Sequence, residues 1–278
     1  MPLAAIGAAL LSALIHASWN AALKGGRGDR IADSFLIAIA GLAIGAVLVA
    51  MFGAPPPAAW PLIALSVVIH LLYWITLFKS YDAGDLSHIY TLARGAAPLL
   101  VAVGAAITAQ EIPTPLKALG IALVSGGVLL VGASPSAPLR ATLWALATGL
   151  CIAGYSLTDA LGARATGNAL HFLGWATGLM SIPMIAFAIW RRGAKRLMAD
   201  AAVAPMRGLA IGLISYAGYG LVLWAQTFAP IAQVTALRET SVVFASLIAF
   251  VFLGEKLGPR RWLGAGVVAI GASLIAFA

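Results

Sequence analysis

Arg94 and Arg238 lie deep inside long apolar runs, and each precedes a glutamate, Glu111 or Glu255, by seventeen residues. A guanidinium is always charged and has only donors, so in apolar surroundings it needs a carboxylate or an anionic guest. Two roles fit this pair: lining a wet cavity, or a structural one. The structural role is met by snorkelling to the membrane interface or by pairing with an acidic group such as Asp85. Glu239 adjoins Arg238, but neighbours on a helix point about 100° apart and pair poorly. Together these two suit a zwitterion, with the guanidinium taking its carboxylate and the glutamate its ammonium.

Other polar residues fall on helical faces. Ser12, His16 and Asn20 follow one another at spacing four, with Trp19 beside them, and this spacing puts them on one side of a helix. Ser66, His70, Tyr73 and Trp74 repeat the arrangement, followed by Tyr155, Thr158 and Asp159, and by Ser215, Tyr216, Tyr219, Trp224 and Gln226. Such faces are costly against lipid and are expected to face the bundle interior. The candidate substrate-binding set is His16, Trp19, Asn20, Tyr73, Trp74, Tyr90, Arg94, Tyr155, Asp159, Tyr219, Arg238 and Glu239. For each aromatic taken singly, helix packing is the competing role. His16 and His70 have no acidic or histidine partner one turn away, so interhelical hydrogen bonds are expected rather than a metal site. His88 is expected at the interface. Walker A, GxSxG and HExxH patterns are absent, so neither an enzyme nor an ATP-driven pump is expected, and no cofactor.

The elements that carry these residues follow from composition. Of 278 residues, 62% are hydrophobic and only 9% charged, with a mean hydropathy of +1.00. Soluble chains carry about 25% charged residues, so too few are present here to cover a water-exposed surface. The apolar residues come in blocks, and about 20 of them span the hydrocarbon as a helix. Ten spans are predicted near 3–23, 33–52, 60–81, 86–108, 115–133, 139–162, 169–190, 206–227, 230–253 and 260–277. The N-terminal stretch lacks a basic leader region and reads as the first span rather than a cleaved signal. Cys151 is the only cysteine, which excludes a disulfide framework.

The two halves align. QEIPTPLKALGIALVSGGVLLV matches GEKLGPRRWLGAGVVAIGASLI without a gap. Glu111, Pro115, Leu119, Gly120, Gly127 and Leu130 stand opposite Glu255, Pro259, Leu263, Gly264, Gly271 and Leu274, and the register reaches back to Arg94 and Arg238. More weakly, Ser18 and Ser156 coincide. This predicts a duplication, 1–134 and 135–278. Five spans per unit is an odd number, so the second unit enters the membrane inverted, and a site is expected at the interface between units. The expected fold is an all-α membrane protein of ten transmembrane helices, built as two inverted five-helix repeats around a central cavity. Glu111 and Glu255, beside Pro115 and Pro259, read as turn residues at helix starts, where a carboxylate complements the helix dipole.

The net charge is +8. Thirteen Lys and Arg fall in loops after spans 1, 3, 5, 7 and 9, whereas Lys117 and Arg164 lie on the other side. This is the positive-inside bias, which places both termini outside. No nucleic-acid surface is needed to explain it, and the expected partners are the lipid bilayer and a small-molecule substrate.

The block VFASLIAFVFLGEKLGPRRWLGAGVVAIGASLI, with its first-half copy carrying Gln110 in place of Gly254, resembles EamA-type ten-helix carriers of the drug/metabolite transporter superfamily. The resemblance covers nearly the whole chain. It implies an inner-membrane carrier that exports or exchanges small metabolites, often amino acids, by alternating access, with aromatic amino-acid exporters the nearest likeness. It also implies cytoplasmic termini, opposite to the charge count. Drug or nucleotide-sugar carriers of the same fold remain open, as does a different class, an intramembrane enzyme or a scaffold.

Overall fold

A computed structural model describes residues 1–24, 30–132, 137–252, 254 and 257–278. Among the described residues twelve α-helices follow one another: α1 (Leu3–Lys24), α2 (Arg30–Phe52), α3 (Trp60–Ala83), α4 (Leu86–Thr108), α5 (Pro115–Gly132), α6 (Leu139–Ala165), α7 (Ala169–Arg192), α8 (Ala194–Ala201), α9 (Pro205–Phe228), α10 (Ile231–Arg238), α11 (Ser241–Val251) and α12 (Pro259–Phe277). Ten segments are long and apolar enough to cross a membrane, with α10 and α11 together forming one of them. Prolines open α5, α9 and α12 at the first helical position, where a missing N–H costs nothing. The Asn168 side chain caps α7 by accepting from Leu170 N at 2.8 Å.

Polarity runs opposite to that of a water-soluble bundle. Leu65, Val68, Leu72 and Ile75 on α3 are exposed, while Ser66 and Ser80 of the same helix are buried. Thr148, Ser156, Asp159, Gln226, Gln233 and Glu239 are also buried. Apolar side chains outward and polar ones inward is the distribution that lipid requires.

Close helix contacts join the two ends of the sequence. A Cβ on Gly120 would stand 2.9 Å from Gly271 O, and one on Gly271 would stand 2.6 Å from Gly120 O. Gly127 and Gly264 face each other in the same way, at 2.8 and 2.7 Å. The glycines that align between the halves are thus the ones that let α5 and α12 touch through their backbones. Helix α2 meets α7 similarly, with a Cβ on Gly45 falling 2.6 Å from Gly178 Cα. The other main contacts come in counterpart sets: α3 packs on α6 and α1 on α9, while α4 packs on α6 and α1 on α10 and α11.

Two features depart from the expected layout. The connection between α7 and α9 contains a helix, α8, which seats Leu197 and Ala201 against Ala32, Phe35 and Leu36 of α2. More important, the expected continuous ninth span is broken at Glu239–Thr240. There the peptide N–H groups of Glu239 and Thr240 bond only three residues back, to Ala236 O at 3.0 Å and Leu237 O at 3.1 Å. The Thr240 hydroxyl also donates to Leu237 O at 2.7 Å. Local side-chain-to-backbone bonding of this kind tightens a helix into a 3-10 turn, a common hinge geometry.

Candidate functional site

The break carries the charged cluster. Arg94 on α4 reaches across to Glu239 with two parallel bonds, Nε to Oε2 at 2.8 Å and Nη2 to Oε1 at 2.9 Å. Its Nη1 donates to His16 Nε2 of α1 at 2.8 Å, and Nη2 lies 3.4 Å from Ser241 Oγ at the start of α11. The guanidinium stands 5.5 Å from the Tyr90 ring centroid. Arginine has no acceptor, so His16 Nε2 accepts this bond. The Tyr90 hydroxyl lies 3.4 Å from the same nitrogen, and Trp19 packs edge-on against the imidazole with ring centroids 5.0 Å apart. Asn20 turns its amide back to His16 O at 2.7 Å. A two-point arginine–carboxylate pair is the strong form of an ion pair and fixes orientation as well as distance. The partner of Arg94 is therefore Glu239, not Asp85; Asp85 precedes α4 as its N-cap residue.

A second group lies beside the first. The Tyr219 hydroxyl on α9 donates to Asp159 Oδ2 on α6. Arg238, at the last turn of α10, stands over the Tyr219 ring at 5.6 Å. Tyr155 stacks on His70 with centroids 4.3 Å apart, and Tyr73 meets Tyr155 edge-on at 5.8 Å. His70 is held by a bond from Nδ1 to Ser66 O at 2.9 Å. Trp74 packs against Tyr73 and Phe78. Arg238 and Glu239 are consecutive in the chain, so the two groups meet at the α10–α11 junction.

The structure thus brings together His16, Trp19, Tyr90, Arg94 and Glu239, and beside them Tyr73, Tyr155, Asp159, Tyr219 and Arg238. The polar face expected on the eighth span disperses. Tyr216 packs toward Gly41 and Ser181, Gln226 bonds to Thr235 Oγ1 at 3.1 Å, and Trp224 turns outward against Phe228. Five residues of helix rotate a side chain by about 140°, so Trp224 cannot share the face of Tyr219. His88, placed by its sequence position at the membrane interface, is buried and lies 3.2 Å from Thr142 Oγ1.

Glu111 also holds a different helix end from the one its sequence suggests. It accepts from Ile231 N at 2.7 Å, capping α10, and pairs with Arg164 Nη2 at 2.7 Å. Arg164 in turn donates to Gln226 O at 2.8 Å and Ala229 O at 3.0 Å. This four-way knot was not legible in sequence, because its parts are more than fifty residues apart. Glu255 lies outside the described residues.

Ten lipid-compatible helices around a buried charged cluster define a membrane transporter architecture. The chain belongs to the EamA-like transporter family, whose profile matches residues 139–277. It is 24% identical over 229 residues to the uncharacterized transporter YwfM of Bacillus subtilis (strain 168), covering 79% of this chain and 74% of that one. One solved crystal structure has the same fold, with a TM-score of 0.72 over 98% of both chains at 16% identity.

Proposed function

We propose that this transporter is a secondary carrier of the bacterial inner membrane that exports or exchanges small polar metabolites, amino acids above all, by alternating access. The observation that carries the reading is the Arg94–Glu239 pair at the α10–α11 break. It ties α4 to the α10–α11 span at its 3-10 turn. Broken helices at membrane depth, flanked by charged and aromatic side chains, are the form that transporter binding sites take. Reciprocal glycine packing and counterpart helix contacts support two halves, 1–134 and 135–278, arranged as inverted repeats that rock about such a site. Aromatic residues beside the charges favour neutral or aromatic amino acids. An anionic guest such as a nucleotide sugar would suit Arg238 alone, but Asp159 beside it opposes a second negative charge.

Purified protein in liposomes, supplied with labelled amino acids, tests the reading: uptake above protein-free vesicles is expected. Absence of flux for every amino acid would remove that substrate class. The loop cations favour external termini, and on that reading a reporter on the C-terminus that is active only in the cytoplasm should stay silent.

A further inference from the structure

The two arginines and two carboxylates of the cluster form one closed pair and one open pair. Arg94 and Glu239 satisfy each other, both carboxylate oxygens being used. Glu239 is therefore not the group left over for an ammonium. Arg238 and Asp159 are opposite in charge yet do not meet. Each contacts Tyr219, one over its ring and one at its hydroxyl. Each also keeps a buried atom without a hydrogen-bond partner, Arg238 Nε and Asp159 Oδ1. Asp159 is 1% exposed. Ser66 lies close enough to act on Asp159, but its hydroxyl stands 3.4 Å from His70 Nδ1 and makes no well-formed bond to Oδ1. No carboxylate among the described residues lies within ion-pair distance of Arg238.

A buried carboxylate oxygen left without a donor is costly, and so is a guanidinium, even a part-buried one, that faces no carboxylate. A guest anion would satisfy Arg238 and crowd Asp159; a guest cation would do the reverse. Only a guest carrying both charges, and none in sum, satisfies both. We propose that Asp159 and Arg238 form a recognition site for a zwitterion, Asp159 Oδ1 taking the ammonium and Arg238 the carboxylate, with Tyr219 setting their separation. This rests on the carrier reading above and assigns Asp159 as the specificity-determining residue. Tyr155, one helical turn before Asp159 on α6 and stacked on His70, offers a ring for the apolar part of the guest.

The test compares labelled phenylalanine, phenylalaninamide and N-acetylphenylalanine in liposomes holding the wild-type protein or Asp159→Asn. Phenylalanine should move, and each singly charged analogue should move at least about tenfold more slowly, the effect of losing one charge-assisted bond. Asp159→Asn should lose at least about tenfold in phenylalanine flux while its handling of N-acetylphenylalanine is unchanged or improved. Equal wild-type flux of phenylalanine and N-acetylphenylalanine would overturn the zwitterion site without any variant being needed, and leave the carrier reading intact. So would movement of singly charged or uncharged polar solutes with no zwitterionic amino acid moving. Flux of no solute at all would sink the carrier reading itself, and this proposal with it.

Discussion

Arg94 grips Glu239 through both carboxylate oxygens, and the two residues lie 145 positions apart in the chain. In the aligned register Arg94 corresponds to Arg238, but the residue after Arg94 is Gly95 whereas the residue after Arg238 is Glu239. The aligned segments therefore carry two arginines and one adjacent carboxylate, and the carboxylate is claimed by the arginine of the other segment. Removing one partner of a buried pair leaves an uncompensated charge and costs about 3–5 kcal/mol. Glu239→Gln should therefore lower the apparent melting temperature of the detergent-purified protein sharply. The double variant Arg94→Gln/Glu239→Gln should melt higher than Glu239→Gln alone. Additive losses in the double variant would contradict direct coupling.

Arg238 should behave in the opposite way. Among the described residues it has no carboxylate partner to strand, so Arg238→Ala should leave the melting temperature close to that of wild type. Flux should nevertheless fall at least about tenfold, as expected when one charge-assisted contact to substrate is lost. The informative readout is the dissociation of the two quantities. Wild-type flux in this variant would remove Arg238 from the site.

The ten spans were legible because lipid imposes a composition and a length on each of them. Arg94, Arg238 and the polar faces of α1, α3 and α6 were legible because a polar group in an apolar run is conspicuous. The pairing was not. Which arginine meets Glu239 depends on how α4 crosses α10, and sequence spacing carries no information about a contact between separate helices. The break at Glu239–Thr240 escaped for a related reason. No proline or glycine marks it, and side-chain-to-backbone bonds like that of Thr240 also occur within the uninterrupted turns, at Thr235 and Ser246.

The aligned glycines yield a prediction with its own control. A Cβ on Gly127 would stand 2.8 Å from Gly264 O, and one on Gly264 would stand 2.7 Å from Gly127 O. Both obstacles are backbone, so α5 and α12 would have to separate. Gly126, one residue before Gly127, and Gly266, two residues after Gly264, have nothing within 4 Å of an added Cβ. Gly127→Ala and Gly264→Ala should each cost about 1–3 kcal/mol through overpacking. Gly126→Ala and Gly266→Ala should be neutral or stabilising by up to about 1 kcal/mol, because alanine is the better helix former. Melting temperatures of the four variants check this, and equal effects at all four positions would deny the close approach.

Glu111 tests whether a carboxylate in such a carrier moves protons or holds a helix. Its oxygens accept from Ile231 N and from Arg164, both at 2.7 Å, and both are structural partners. Arg164 would keep its bonds to Gln226 O and Ala229 O if the carboxylate were lost. Glu111→Gln should therefore cost only about 1–2 kcal/mol, the range of a helix N-cap. Ile231 opens α10 two turns before Arg238, about 10 Å along the axis, so the charged cluster should be little disturbed. Flux through the folded variant should stay within about threefold of wild type, a difference of under 1 kcal/mol, and its dependence on an imposed pH gradient should be unchanged. Loss of that dependence at unchanged melting temperature would instead make Glu111 part of the transport chemistry.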